Sequence, residues 1–203
     1  MAVDTPYASV RRADAEDQQA VVDVLTEAFM NDPLACWLFP QAGERGRLLS
    51  HFYRPLLTHP QGEAYLAGRR EGASVWLTSA AGQSPHEEPP DAPEESAATV
   101  FGENGGRLRA LGEALAPRRP DREPHLYLPC MGVVSGRQGG GLGSAMLRHR
   151  LARADADGLG AYLEASSARS RALYLRHGFE DLGEPVRVDD SPLLWPMWRP
   201  PGR

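Results

Sequence analysis

The chain has 203 residues, 41% of them hydrophobic, with 27 Asp and Glu against 22 basic residues and a formal net charge of −5. Every basic residue is Arg; the missing Lys excludes a Walker A phosphate loop and any Schiff-base or pyridoxal chemistry through a lysine. The acidic balance argues against a general nucleic-acid binder, and no apolar run reaches the length of a membrane span.

Met1-Ala2-Val3-Asp4 lacks a basic segment followed by an apolar one, so the reading carries no signal peptide and places the protein in the cytoplasm. The Arg-only basic set with heavy Ala, Gly and Pro usage suggests a high-GC bacterial source. Tyr7 to Arg12 reads as a first strand. Asp14, with Asp17 three residues on, has the form of an N-terminal capping box. Val21, Val22, Leu25, Ala28 and Phe29 recur at helical spacing to about Met30, and Asn31-Asp32-Pro33 ends that helix. Leu34 to Phe39 is a short apolar segment. Gly46 to Thr58 reads as a second helix interrupted by Pro55. Glu63 to Arg70 and Ala73 to Ser79 form a hairpin around Glu71-Gly72. Gln83 to Glu95 is Pro-rich and acidic, hence a surface loop. Ala97 to Leu115 is helical in pattern, and Pro117 to Pro124 is a turn.

His125 to Val134 reads as a strand, Leu142 to Ala156 as a helix, Ala161 to Ala165 as a strand and Ser167 to His177 as a short helix. Gly178 stands where a C-terminal Gly belongs. Phe179 to Val188 and Leu193 to Trp198 read as two closing strands. Hairpins at both ends around one strand–helix–strand unit predict an α+β fold with a mixed, mostly antiparallel sheet flanked by helices. Cys36 and Cys130 read as reduced thiols. None of the six His shows metal-ligand spacing, so no metal is expected.

The informative stretch is Gln138-Gly139-Gly140-Gly141-Leu142-Gly143-Ser144, a Gly-rich turn opening into a helix. Such a turn presents backbone N–H groups and the positive end of the helix dipole, a device for holding phosphates. Three readings compete: a plain surface loop; a dinucleotide site, since Gly139-x-Gly141-x-x-Ser144 nearly matches the Rossmann fingerprint and Glu164 lies at about the right distance; and the pyrophosphate loop Gln138-x-x-Gly141-x-Gly143. Ser144 in place of the third Gly, the polar run Ser135 to Gln138 before the turn, and the short remaining chain count against the dinucleotide site and an NAD(P)-dependent oxidoreductase.

Gln138-x-x-Gly141-x-Gly143 resembles the signature of the GCN5-related N-acetyltransferase (GNAT) superfamily. Leu126-Tyr127-Leu128 leading to Gly132-Val133, the helix start Leu142 to Leu147, Ala161 to Ser166, and Arg171 to Phe179 are similar to its fourth strand, cofactor helix, fifth strand and closing helix, in family order. Ala28-Phe29, Asp32-Pro33, the Trp76 strand and Leu115-Ala116-Pro117 resemble a bacterial branch that includes puromycin N-acetyltransferase.

The resemblance implies one domain over residues 1–203, with a cofactor core at about 125–180 and acceptor-side elements at about 14–60 and 80–124. It implies acetyl-CoA as cofactor, splayed fourth and fifth strands, and direct acetyl transfer to a primary amine of a small molecule, an antibiotic or other metabolite. Pantetheine contacts then fall on backbone near Met131 to Val134, with Val133 the best single choice. The pyrophosphate falls on Gln138, Gly139, Gly140, Gly141, Leu142, Gly143 and Ser144, with Arg137 adding charge. Ser170 stands where the family often has Asn. Tyr174 matches the Tyr that protonates the leaving sulfur. Glu164, a carboxylate in an apolar strand, is the candidate base. Asp32, Trp37, Phe52, Tyr53 and Trp76 are candidates for the acceptor pocket, Asp32 or Glu27 as partner of a cation. An acyl-Cys130 route competes with a plain buried thiol. A homodimer and a non-catalytic acyl-CoA-binding domain stay open.

Overall fold

The computed structural model describes residues 9–82 and 100–202; the acidic loop at Gln83 to Glu95 lies outside the described residues. The chain opens with strand β1 (Val10–Arg12). A turn of 3-10 helix at Ala15–Asp17 then enters helix α1 (Gln18–Phe29). The Asp14 carboxylate accepts from the N–H groups of Glu16 and Asp17, and Asp17 accepts from the Asp14 N–H, which completes the expected capping box.

Leu34 to Phe39, read as a short apolar segment, lies largely in a helix, α2 (Pro33–Leu38). Asp32 is its N-cap, accepting from Leu34 N–H at 2.9 Å and Ala35 N–H at 3.1 Å, and Pro33 is its first residue. Pro suits that position because its absent N–H would have no helical partner there. Helix α3 (Ala42–Thr58) begins four residues before the expected Gly46 and carries Pro55 within it. Buried Arg45 ties these elements together, donating to the carbonyls of Phe39 at 2.8 Å, Met30 at 3.0 Å and Pro40 at 3.1 Å. It thereby satisfies carbonyls where α1 and α2 end.

The hairpin is present as β2 (Gly62–Ala67) and β3 (Gly72–Ser79). Helix α4 (Gly105–Leu115) follows a 3-10 turn at Gly102–Asn104. Strand β4 (His125–Val133), helix α5 (Leu142–Ala156), strand β5 (Gly160–Ala165) and helix α6 (Ala168–Leu175) complete the central unit. Among the closing strands, β6 is only Glu180–Asp181 and β7 is Trp195–Arg199. The expected strand to Val188 is broken because Gly183 has φ +77° and Pro185 has no N–H to donate; pairing resumes only at the bridge Val186–Leu194.

The seven strands form one sheet in the order β1-β2-β3-β4-β5-β7-β6. Every pairing is antiparallel except β4 with β5. Helices α1 to α4 cover one face, over Ala73, Val75 and Cys130. On the other face Trp76, Leu126, Leu128 and Leu163 pack with Leu147 and Leu151 of α5 and Tyr174 of α6. The fold is thus the expected mixed, mostly antiparallel sheet between helices. Among the described residues no helix is long and apolar enough to cross a membrane.

Candidate active site

Strands β4 and β5 pair in parallel from His125–Gly160 only as far as Leu128–Leu163. Both strands run on past that point, β4 to Val133 and β5 to Ala165, without pairing to each other. The outer edge of β4 stays held by β3, through Met131–Ser74 and Val133–Gly72. The inner edge opens into a cleft of about 1900 Å³. That exceeds the space a single drug-sized ligand fills, roughly 300–1,000 Å³, so it has room for a cofactor arm and an acceptor together.

Close packing behind β4 depends on Gly132. A Cβ there would stand 2.6 Å from the Ala28 Cβ and 3.1 Å from the Phe29 ring of α1. Only Gly lets strand and helix approach this closely. Gly139 and Gly141 have φ of +85° and +87°, which favours Gly on conformational grounds. Gly141 is the N-cap of α5 and supplies no side-chain acceptor. The first-turn N–H groups of Leu142, Gly143 and Ser144 therefore face the cleft end of the helix without a cap, together with the positive end of its dipole.

Of the residues singled out in the sequence, Asp32, Phe52, Tyr53, Met131, Val133, Gln138, Gly139, Gly141, Gly143, Ser144, Glu164, Ser170 and Tyr174 line the cleft. The Val133 carbonyl accepts from the Gln138 side chain at 3.1 Å, and Gln138 in turn accepts from Arg169 at 3.2 Å. Ser170 completes a capping box with Ser167 at the start of α6. Arg137 points to solvent and pairs with Glu71 at 2.8 Å. Leu142 is buried against Ala67 and Met146, leaving its backbone as the part near the loop. Val134 packs among the acceptor-side apolar residues, and Gly140 sits in the loop turn with its N–H directed to Arg137.

Two aromatic candidates fall elsewhere. Trp76 is 1% exposed and packs against Tyr65, Leu126 and Leu147 on the α5 face, with its N–H on Ser74. Strand alternation sends it to the face opposite Val75. Trp37 is fixed by its N–H on Asp190 at 2.7 Å and by Arg107, which lies over its ring and bonds its carbonyl. Neither ring lines the cleft.

Tyr174 is 7% exposed, its ring edge-on to Phe179 at 5.8 Å. Burial, and next the nearby Cys130 and Asp32, hold its phenol well above the usual range. The Cys130 thiol is pushed up to about 12, chiefly by burial; an uncharged thiol is a poor nucleophile. Burial also raises Asp32 above the usual carboxylate range, opposed by the Ala35 and Leu34 N–H groups and by Ser166. Glu164 is raised as well, burial again being the larger cause and Arg119 the main opposing one.

Arg119 and Tyr127 also line the cleft and were not singled out in the sequence. Tyr127 carried a signal: it and Tyr162 are polar tips in apolar strands, and they face one another in register. Arg119 carried none, because its partner lies 45 positions further along the chain.

A model of the acetyltransferase (GNAT) family matches residues 69–179, more than half of the chain. A structure described as histone acetyltransferase HPA2 and related acetyltransferase from Corynebacterium glutamicum is similar at 30% identity, with 97% of this chain and 98% of that one covered and a TM-score of 0.71. The fold is shared with arylalkylamine N-acetyltransferase 2 from Aedes aegypti, at 13% identity over 96% and 99% of the two chains and a TM-score of 0.70. It is shared also with Drosophila melanogaster polyamine N-acetyltransferase, at 18% identity over 95% and 99% and a TM-score of 0.62. Family match, relative and open β4–β5 seam agree: the chain belongs to the GNAT acetyltransferase family and is an N-acetyltransferase.

Proposed function

We propose that the protein transfers acetyl from acetyl-CoA to the primary amine of a small molecule with an apolar body, by direct attack. The observation that carries this is the early end of β4–β5 pairing at Leu128–Leu163, with the uncapped start of α5 and the Tyr174 hydroxyl on the same cleft. The loop glycines with positive φ fit a backbone that wraps phosphate oxygens, and the unpaired edge of β4 fits an added strand-like arm. The thioester supplies an acyl group that an amine attacks readily once the two are held together.

The chain's own residues then hold and move protons. Glu164 takes the proton from the acceptor's ammonium, which leaves a neutral nitrogen able to attack. Its raised proton affinity, from burial, suits a base at neutral pH. Tyr174, held protonated by its surroundings, gives a proton to the departing sulfur as the C–S bond breaks and regains one from the attacking nitrogen as the amide forms. Asp32 attracts the cationic amine before transfer. Phe29, Phe39, Phe52, Tyr53 and Phe101 line the acceptor half and offer an apolar wall to the rest of the molecule. The same reading takes the whole chain as one domain, residues 125–180 serving the cofactor and 14–60 and 80–124 the acceptor.

Thiol release from acetyl-CoA tests the proposal against arylalkylamines, aminonucleosides including puromycin, aminoglycosides, polyamines, amino acids and basic peptides. Turnover is expected with primary amines of apolar body. Turnover with puromycin above all others would add the branch suggested by Asp32-Pro33 and Leu115-Ala116-Pro117. CoA binding without turnover of any amine would overturn the catalytic proposal. Binding of NAD(P) in place of CoA would overturn the cofactor.

A further inference from the structure

Among the described residues that line the cleft is a largely buried cation, Arg119, that the reaction as described does not use. Arg119 follows the 3-10 turn Ala116–Arg118 at the end of α4, and its Nε lies 3.7 Å from Glu164 Oε1. The side chains are 14% and 7% exposed. That separation is the length of an ion pair and exceeds that of a hydrogen bond. Among the described residues, Arg119 Nε, Glu164 Oε1 and the Tyr162 hydroxyl are all buried without a hydrogen bond. A two-pronged guanidinium–carboxylate fork would occupy both carboxylate oxygens. The arrangement here is different: the charge is close, and Oε1 keeps its acceptor capacity.

A carboxylate surrounded by apolar strand and helix surface ordinarily becomes neutral, because burial disfavours its charged form. A neutral carboxylic acid cannot take a proton from an ammonium. Opposite charge at short range works against that loss. The groups facing Glu164 are Tyr127 from β4, Tyr162 from its own strand and Arg119 from the turn after α4, with Arg118 acting on Tyr162. On the β7 side its partner in the sheet is Pro196, which carries no charge. Both tyrosines are held protonated by burial, so neither supplies charge. The task falls to Arg119.

We propose that Arg119 is a positioning residue that keeps the buried Glu164 ionised without occupying its oxygens. The inference rests on the reading of Glu164 as the base, and two readouts separate the pair. One is the midpoint of the Glu164 carboxyl titration, followed by carbon NMR of labelled protein. The other is the acid limb of kcat/KM against pH with the best acceptor. In Arg119→Gln the midpoint is expected to rise by about one unit or more, a tenfold change in the ratio of ionised to protonated carboxyl. The acid limb moves up with it, so activity falls near neutral pH and recovers toward alkaline pH. Arg119→Lys, which keeps a charge in a displaced place, gives a smaller shift in the same direction and carries the test if the Gln variant does not fold. An unmoved midpoint in both variants overturns the proposal. A midpoint that moves while the acid limb stays in place upholds Arg119's hold on Glu164 and removes Glu164 as the base. Unchanged CoA-induced thermal stabilisation in both variants checks that the cofactor side is intact.

Discussion

The division of labour among side chains follows from what burial does to each. Tyr174 and Cys130 share one part of the cleft, and burial holds each in its uncharged form there, whereas for Asp32 beside them the Ala35 and Leu34 N–H groups oppose the effect of burial and favour the charged form. For Cys130 that means inertness, which favours direct transfer over an acyl-Cys route. For Tyr174 it means a proton kept ready. Tyr174→Phe removes only the hydroxyl and leaves the ring on Phe179. We expect kcat to fall by about 100-fold or more, in the range of lost general-acid catalysis, with CoA affinity unchanged in a thermal-shift titration. Wild-type kcat in the Phe variant would make Tyr174 a packing residue. Which residues meet at this site was only partly legible. Tyr174 and the loop glycines stand in a contiguous motif. Asp32-Pro33 reads in the sequence as the end of α1, and the six-residue helix that Asp32 caps is too short for periodicity to reveal. A strand with apolar residues on both faces does not tell which face meets the cleft, and Trp76 lies on the other one.

Elements are set by contacts that the local pattern reveals unevenly. The bounds of α5 agree with the pattern at both ends, because Gly141 starts it and a long apolar stripe defines it. The strand after Phe179 does not, because Gly183 and Pro185 interrupt an otherwise extended, apolar-alternating segment. The α1–β4 contact shows what a single position controls. Gly132→Ala places a Cβ 2.6 Å from the Ala28 Cβ, so helix or strand must shift. Overpacking of this kind costs about 1–3 kcal/mol, to be measured by urea unfolding. Ala28→Gly in the same chain should recover part of the loss, since it removes the other half of the clash. A Gly132→Ala variant as stable as wild type would mean that α1 moves freely on the sheet.

At the scale of the whole molecule, the C-terminal end is clasped to α5. Arg199 makes two hydrogen bonds to Asp155, at 2.6 and 2.8 Å, and Gly202 N–H adds a third at 2.6 Å. Arg199 is the main reason Asp155 lies below the ordinary carboxylate range, and the Gly202 N–H adds to it. A carboxyl whose proton affinity drops on folding contributes stability above its unfolded value, about 3.9. That contribution is lost as pH falls through the lower folded value. Asp155→Asn should therefore destabilise the protein most near neutral pH, and the gap from wild type should narrow as pH falls below the unfolded carboxyl value of about 3.9. Urea unfolding at the two pH values reads this; an equal gap at both would assign the effect to geometry and not to charge. The layered fold was legible from the order of elements, whereas this clasp joins residues 44 positions apart and left no local trace.

The short parallel seam between β4 and β5 has a mechanical meaning. Among the described residues, four facing pairs, His125–Gly160 to Leu128–Leu163, stitch β1–β4 to β5–β7 within the sheet. The molecule resembles two plates joined by a weld that stops partway along their common edge. On the proposed reading, a long ligand lying along β4 on one side and the start of α5 and α6 on the other would act as a cross-brace at the unwelded end. On that reading, catalytic readiness and rigidity would arrive together, the molecule that brings the acyl group also stiffening the frame that uses it.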